Sequence, residues 1–349
     1  MVENGDFKLI SLNSIDIDGN LKNTMKRVNF YDNSLKQDDI VMVLSDVAHG
    51  DFLGLCAVIP SNDYVLNQRM GRLRKRNDCI NILFLRLYIN ANQKYFKMQG
   101  QGSSQLNLSK KAIEDFEILL PPLNEQIAIA NILSDVDRYL YSLDALILKK
   151  ESVKKALSFE LLSQRKRLKG FNQAWQRVRL GDICEITTGS LDVNEMVHYG
   201  KYRFYTCAKE YYFIDKYAFD IEAILISGNG AYVGYVHYYK GKFNAYQRTY
   251  VLDNFSEHII FVKYFLAMFL QSHIQTNRNE GNTPYIVMAT LKDFEIPLPP
   301  LNEQIAIANI LSDLDHEIIS LKNKKRQFEN IKKALNHDLM SAKIRVLKK

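Results

Sequence analysis

The segment LPPLNEQIAIANILSD occupies residues 120–135 and recurs, letter for letter, at residues 298–313. The identity extends outward from this segment, so that 21 of the 23 positions of Asp115–Asp137 match those of Asp293–Asp315. A repeat of this length at one fixed offset predicts that the chain consists of two unequal copies of one unit.

Each copy of the segment predicts the start of a long helix. The Pro-Pro pair ends the strand-like DFEI, Asn124 or Asn302 is a capping residue, and Glu125 or Glu303 suits the positive end of the helix dipole. Apolar residues then recur at spacings of three and four, as on one helical face. They are Leu133, Val136, Leu140, Leu143, Ile147, Leu157 and Leu161, and in the second copy Leu311, Leu314, Ile318, Leu321, Phe328, Leu335 and Leu339.

An apolar stripe on a helix of roughly 40 residues, about 60 Å long, is too long to be buried in a small domain. The two stripes are therefore expected to bury each other as an antiparallel coiled coil with pseudo-twofold symmetry and a globular head at either end. The alternative is an ordinary hairpin of helices that serves no partner. The seam is interrupted by lysines that are expected to reach solvent or to face a partner. They are Lys150, Lys154, Lys325 and Lys332.

The repeat divides the chain into four segments. Residues 1–119 are the first head, 120–170 the first repeated helical region, 171–297 the second head and 298–349 the second helical region. Both heads combine short β-rich runs with an apolar helix, which predicts an α+β fold.

The first head has no counterpart of Trp175–His198. GDFKLISLNS from Gly5 aligns instead with GKYRFYTCAK from Gly200. The first head is therefore expected to be truncated at its start, or to be completed by other residues.

Composition excludes several classes of protein. The 349 residues carry 46 Lys+Arg and 39 Asp+Glu, a net charge of +7, and 47% are hydrophobic, as in an ordinary globular chain. Four cysteines without a Cys-x-x-Cys pair argue against a disulfide framework or a zinc ribbon. The first residues show no secretory signal, and the apolar run Ile259–Leu270 is too short to span a bilayer. These features predict a cytoplasmic protein.

Basic and amide side chains in both heads suit nucleic acid. Arg, Asn and Gln read base edges, and Lys holds phosphates. The densest basic cluster is Arg69–Arg76; its alternative interpretation is a solvated loop. The predicted DNA-binding residues are Gln68, Arg69, Arg72, Arg74 and Arg76 in the first head, and Arg203, Lys209, Gln247, Arg248, Asn277, Arg278 and Asn279 in the second.

The remaining motifs of the sequence give less evidence of function. The glycines of SGNGAYVGY at 227–235 lack a nucleotide-binding spacing and indicate a hairpin turn, and most tyrosines of the second head are expected to pack on strands. A phosphate-binding loop, a zinc-protease motif and a methyltransferase motif are absent from the sequence. We therefore expect a non-catalytic protein with no metal and no cofactor.

The phrase LPPLNEQIAIANILSDVD, with its second copy LPPLNEQIAIANILSDLD, resembles the hallmark segment of the specificity subunit of type I restriction-modification systems. LGDICEITTG at 180–189 is similar to the opening of a target recognition domain in that family. The resemblance implies two target recognition domains, each reading one half of a bipartite, asymmetric DNA target. It also implies that the helices set the spacing and dock two modification methyltransferase subunits. Restriction (translocase/nuclease) subunits would join through the complex.

Within this resemblance, the partner surface is expected to lie on the duplicated segment. Its candidate residues are Glu125, Gln126, Glu303 and Gln304, with helix capping and solubility as the alternative role of each. Two other functions stay open at this point. One is a coiled-coil tether that joins two protein-binding heads without DNA specificity, and the other is a self-contained nuclease or methyltransferase, which the missing motifs disfavour.

Overall fold

The computed structural model describes residues 5–32, 34–47, 50–277 and 284–347. The chain divides into two compact units, residues 1–144 with 323–349 and residues 145–322. Both divisions fall inside the two long helices, α4 (Leu123–Leu162) and α8 (Leu301–Met340). Each unit therefore contains one head, half of α4 and half of α8.

The two long helices begin where the repeat predicts. Each follows a Pro-Pro pair, and the Asn124 side chain accepts a hydrogen bond from the Glu125 backbone N–H, as Asn302 does from Glu303, at 2.9 Å in both cases. The buried seam residues are Leu133, Leu143, Ile147, Leu161, Leu311, Ile318 and Leu339. No helix of the described residues has the length and apolar character needed to cross a membrane.

In the first unit, the early part of α4 lies antiparallel to the late part of α8. Asp137 pairs with Lys332 at 2.5 Å, and Asp144 pairs with Lys325 at 2.6 Å. The residue numbers of the partners thus fall along α8 as they rise along α4. The rings of Tyr139 and Phe328 also meet, with centroids 4.6 Å apart.

In the second unit, the late part of α4 again runs antiparallel to the early part of α8. Lys150 pairs with Glu317 at 2.8 Å, and Lys154 pairs with Asp315. The seam lysines in the described residues thus form ion pairs across the helices of their own unit.

The head of the first unit contains three small sheets and three short helices among its described residues. In the sheets the strand orders are β2-β1-β6, β5-β3-β7 and β4-β8. The strands are β1 (Phe7–Ile10), β2 (Arg27–Val28), β3 (Ile40–Val43), β4 (Ser45–Val47), β5 (Cys56–Val58), β6 (Tyr64–Leu66), β7 (Met70–Leu73) and β8 (Gln105–Asn107). The helices are α1 (Ile82–Ala91), α2 (Gln93–Gln99) and α3 (Lys110–Glu114), with a 3-10 turn at Leu12–Ser14.

Strand β3 is the centre of this head because all four of its residues are buried. Val41 and Val43 pack with the cluster around Ile10, while Ile40 and Met42 pack with the cluster around Phe96. Successive side chains of a strand point to opposite faces, so one strand fills two cores.

The head of the second unit is built on one six-stranded sheet of order β10-β15-β13-β14-β11-β12 and a separate pair, β9 with β16. The strands are β9 (Gln176–Arg179), β10 (Glu185–Thr188), β11 (Tyr202–Tyr205), β12 (Tyr212–Ile214), β13 (Phe219–Ser227), β14 (Val236–Ala245), β15 (Thr249–Asp253) and β16 (Glu295–Leu298). The helices are α5 (Leu180–Ile183), α6 (Ile259–Asn277) and α7 (Met288–Lys292), with a 3-10 turn at Val193–Glu195.

Helix α6 is the apolar helix that the sequence predicts. Phe261, Phe265 and Leu270 are buried in the main core of this unit, together with Ile224 and Ile226 of β13. The glycine-rich run 227–235 connects β13 to β14, which confirms the predicted hairpin.

The strand pairings show how the two heads correspond. β1 pairs antiparallel with β2 and parallel with β6, and β11 pairs in the same way with β12 and β14. This supports the alignment of Gly5 with Gly200. Counterparts of β9, α5 and β10 do not occur among the described residues of the first unit.

Candidate nucleic-acid interface

In the first unit, Gln68 and Arg69 form the tip of a tight turn between β6 and β7. The Met70 N–H donates to the Asn67 carbonyl across the turn at 3.0 Å, and the Leu44 N–H donates to the Arg69 carbonyl at 3.2 Å. The side chains of Gln68 and Arg69 are exposed. The backbone of the turn is therefore fixed while its two polar side chains face solvent.

In the second unit, Gln247 and Arg248 form the tip of the turn between β14 and β15. The Thr249 N–H donates to the Tyr246 carbonyl at 2.8 Å, and the Gly228 N–H donates to the Arg248 carbonyl at 2.8 Å. A Cβ atom at Gly228 would lie 2.3 Å from that carbonyl oxygen, so only glycine allows this close approach. Gln247 and Arg248 are exposed.

The two Gln-Arg turns, Asn67–Met70 and Tyr246–Thr249, have the same place in the topology of their heads. The first connects β6, which is parallel to β1, to β7, which pairs with β3. The second connects β14, which is parallel to β11, to β15, which pairs with β13. Two heads of otherwise different sequence thus present the same exposed Gln-Arg pair from equivalent turns.

The remaining arginines of the first basic cluster differ in their surroundings. The Arg74 guanidinium donates two hydrogen bonds, both of 2.6 Å, to the buried carboxylate of Asp39. Arg72 is exposed, and its Nη1 donates to the Ser34 carbonyl at 2.7 Å. Arg76 is exposed in the segment that follows β7. Arg74 is thus engaged by the fold of its own head, which leaves Arg69 and Arg76 better placed to meet a ligand.

In the second unit, Arg203 is held in an aromatic cage. Its guanidinium carbon lies 4.3 Å from the ring centroid of Tyr211 and 4.4 Å from that of Tyr239, and its Nη1 donates to the Tyr205 hydroxyl at 3.3 Å. These contacts favour a role in packing of the sheet. The prediction that tyrosines of this head pack on strands is confirmed for Tyr205, which is buried.

Lys209 lies with the second Gln-Arg turn in one group of loops. Its Nζ is 5.3 Å from the ring centroid of Tyr232, in the β13–β14 connection. Cys207, in the same loop as Lys209, donates its thiol to the Arg248 carbonyl at 3.3 Å. An exposed lysine, a tyrosine and the Gln-Arg tip thereby come together at one end of the sheet.

Three predicted DNA-binding residues give no side-chain geometry. Asn277 ends α6, but its side chain lies outside the described residues, as do Arg278 and Asn279 entirely. DNA contact by these residues stays a prediction.

The repeated Glu-Gln pair has a role inside the first unit that sequence reasoning left open. Gln126 is buried; its Nε2 donates to the carbonyls of Cys79 at 3.0 Å and Pro121 at 2.8 Å, and its Oε1 accepts from the Asn81 N–H at 2.9 Å. Glu125 is also buried, and Arg345 donates to both of its carboxylate oxygens. The hydrogen bonds from Arg345 lower the pKa of Glu125.

The second unit repeats the arrangement. Gln304 is buried; its Oε1 accepts from the His258 N–H at 3.0 Å, and its Nε2 donates to the Pro299 carbonyl at 2.9 Å. Glu303 is buried and accepts from Arg167 at 2.7 and 2.8 Å. In both units the glutamine joins the start of the long helix to its own head, and the glutamate binds an arginine in the segment that follows the other long helix. The four side chains therefore act inside the fold, in a role other than the helix capping offered as the alternative. Their direct contact with a partner stays a prediction.

The described residues contain little that resembles an assembled reaction centre. No group of three or more His, Cys, Asp or Glu side chains with metal-binding geometry occurs among them. Burial raises the pKa of the Cys56 thiol, and raises that of Cys184 to about 12, so neither is an activated nucleophile. Burial also lowers the pKa of His237, which shares a hydrogen bond with the Ala208 carbonyl.

The sequence model of the type I restriction modification DNA specificity domain matches this chain twice, at residues 3–150 and 172–330. Together the two matches cover most of the chain. The chain therefore belongs to the family of type I restriction-modification DNA specificity domains, and the α+β class with two such domains, each followed by a long helix, is confirmed.

Two curated relatives carry related names. The type I restriction enzyme EcoDI specificity subunit of Escherichia coli is 36% identical over 170 residues, which are 48% of this chain and 37% of that protein. The type I restriction enzyme MjaVIII specificity subunit of Methanocaldococcus jannaschii is 28% identical over 325 residues, 81% of this chain and 75% of that protein. The E. coli match thus spans less than half the length of that relative.

A solved structure has the same fold. The S subunit of the type I restriction-modification system from M. genitalium superposes with a TM-score of 0.67 at 17% identity, over 97% of this chain and 90% of that one. The family model, the named relatives and the fold all agree with the resemblance of the duplicated segment to type I specificity subunits.

Proposed function

We propose that this chain is the DNA-reading specificity subunit of a type I restriction-modification complex, and that it has no catalytic activity of its own. The observation that supports this most directly is the pair of equivalent Gln-Arg turns, Asn67–Met70 and Tyr246–Thr249, one in each head. The family membership and the names of the relatives point the same way.

The chemistry of these turns suits base reading. The Arg guanidinium binds guanine O6 and N7 through two hydrogen bonds, and the Gln amide binds adenine N6 and N7 in the same manner. Because the turn backbones are hydrogen-bonded internally, binding through Arg69 and Arg248 would cost little backbone freedom. Lys209 and Arg76 supply positive charge for phosphates. Each head would read one half of a bipartite, asymmetric target.

The long helices would fix the distance between the half-sites. In each unit the ion pairs join segments of α4 and α8 that run antiparallel. This supports the predicted antiparallel coiled coil with pseudo-twofold symmetry. The helices would then set the separation of the two half-sites at about one turn of DNA, roughly 34 to 36 Å.

The partner surface would lie on exposed apolar residues of the repeat rather than on its buried Glu-Gln pair. Leu123 and Ile127 are exposed on α4, and their identical counterparts Leu301 and Ile305 are exposed on α8. Residues four apart share one helix face, so each copy offers the same small apolar patch. Two identical patches suit two copies of one modification methyltransferase subunit, through which the restriction subunits would join.

The test is to sequence the methylome of cells that contain this chain with a partner methyltransferase. Wild type should mark one bipartite motif. Arg69→Ala and Arg248→Ala should each relax one half-site and leave the other intact, at a cost of about 1 to 3 kcal/mol in binding. Arg177→Ala, on the exposed side of β9, is the control and should leave both half-sites unchanged. In a separate measurement of DNA affinity, wild-type binding that stays weak and insensitive to sequence would reject DNA reading and favour a protein tether.

A further inference from the structure

A loop of the second unit, residues 189–195, lies against the second Gln-Arg turn. It follows directly after β10. The Gln247 N–H of the turn donates to the Leu191 carbonyl of the loop at 2.9 Å. A Cβ atom at Gly189 would lie 1.9 Å from the Ala245 carbonyl oxygen, so only glycine allows this close approach. The loop is therefore fixed to the turn through its own backbone.

The register of this contact brings Asp192 beside Gln247. Leu191 forms a parallel bridge with Tyr246, the residue before Gln247. Asp192 follows Leu191 in an extended conformation, with φ −83° and ψ 158°. Paired residues of parallel segments project from the same face, and such segments lie about 5 Å apart. Because Asp192 and Gln247 are both exposed, they form one short row of polar side chains with Arg248.

The structure around Asp192 does not account for its negative charge. Its Oδ1 accepts the Asn194 N–H at 3.1 Å and so caps the 3-10 turn Val193–Glu195. An Asn or Ser side chain would cap equally well without a charge. Asp192 forms no ion pair with any described residue, so it does not neutralise a cation of its own head. Its Oδ2 is left available to a ligand.

A carboxylate has one kind of favourable partner on duplex DNA. It only accepts hydrogen bonds and it is repelled by phosphates, so it suits the amino groups of base edges. Asp and Glu accept from cytosine N4 in the major groove. Gln247 can both donate and accept, as adenine requires, and Arg248 only donates, as guanine requires. The row of three side chains therefore combines three different base preferences.

We propose that Asp192 is a specificity-determining residue of the second head, and that its carboxylate accepts a hydrogen bond from N4 of a cytosine next to the bases read by Gln247 and Arg248. The same carboxylate rejects guanine and thymine in that place, because their O6 and O4 acceptors would face it. This inference rests on the proposed function, since it requires the second head to read DNA.

The test sequences the methylomes of cells that contain the chain with a partner methyltransferase, as wild type, Asp192→Asn, Glu195→Gln and Arg248→Ala. The half-site that Arg248→Ala relaxes should contain a C·G pair beside the relaxed position. Asp192→Asn keeps the cap and should shift the preference at this pair about tenfold from C·G towards A·T, since Asn reads adenine. Glu195→Gln removes the same charge at an exposed position of the same loop and should leave the motif unchanged.

Fluorescence anisotropy with labelled duplexes that carry C·G or A·T at this position measures the same shift without methylation. Thermal melting checks that Asp192→Asn folds as wild type does. A relaxed half-site without a C·G pair would overturn the inference, and so would an equal change in affinity of Asp192→Asn for both duplexes. In either case the proposed function would stand as long as Arg248→Ala relaxes one half-site. A wild type that marks no bipartite motif would overturn both.

Discussion

At the scale of single residues, Arg69 and Arg74 belong to one basic cluster and have different surroundings. Arg69 stands at the tip of a turn with its side chain in solvent. Arg74 binds the buried carboxylate of Asp39, which also accepts the Lys36 N–H at 2.7 Å. The local sequence places both arginines in one basic cluster. It does not reveal that Arg74 alone meets a carboxylate 35 residues earlier in the chain.

Arg74→Ala should destabilise the first unit by about 1 to 3 kcal/mol, because it leaves a buried acceptor without its donor. Arg69→Ala should change stability by no more than about 0.5 kcal/mol, as is usual for an exposed side chain. Urea unfolding of the two variants measures both effects. Equal losses of stability would contradict the separation of roles.

Glu125 should make the first unit sensitive to acid. Its pKa in the folded chain is below the ordinary value of 4.5 because Arg345 donates to its carboxylate. A lowered folded pKa stabilises the fold above the unfolded pKa, and this contribution is lost as pH falls through the folded value.

The difference in melting temperature between wild type and Glu125→Gln should therefore be largest near neutral pH and shrink below about pH 4.5. Glu117→Gln, at an exposed position outside the ion pair, is the control and should show a small difference throughout. A Glu125→Gln difference that grows on acidification would contradict the assigned direction.

At the scale of elements, the sequence predicted the long helices well and the surroundings of the heads less well. The starts at Leu123 and Leu301 follow from Pro, Asn and Glu at fixed positions, which are local signals. The ion pairs of Lys150 and Lys154 and the internal role of Gln126 depend on partners far away in sequence. Equivalent Gln-Arg turns were predictable in part, because the two heads align weakly there, but their hydrogen-bonded backbones were not.

The helix seam provides a matched comparison at adjacent positions. Ile318 is 6% and Ile319 55% exposed on α8. Ile318→Ala should destabilise the second unit by about 2 to 5 kcal/mol through lost burial and the cavity left behind. Ile319→Ala should cost no more than about 0.5 kcal/mol. Denaturant unfolding measures both, and similar costs would show that the seam is not where α8 is buried.

At the scale of the whole molecule, the proposed function and the duplicated apolar patches together predict two bound copies of a methyltransferase partner. Native mass spectrometry of the chain with its methyltransferase should show two copies of that partner. Ile127→Asp and Ile305→Asp should each remove one copy, and the double variant should remove both, because a charge would enter an apolar contact. Ile319→Asp, exposed on α8 outside the patch, should leave two copies bound. Loss of both copies from one single variant would contradict two independent docking positions.

The buried glutamines have a consequence for how such chains diversify. Gln126 holds its head through main-chain atoms of Cys79 and Asn81, whereas Gln304 accepts from the main-chain N–H of His258 and also donates to the Glu257 carboxylate at 2.6 Å. Main-chain groups persist whatever side chains surround them. Exchange of a head within the two identical stretches would therefore keep the main-chain hydrogen bonds of the repeated glutamine, and beside Gln304 the incoming head would need only a counterpart of the Glu257 carboxylate to complete them.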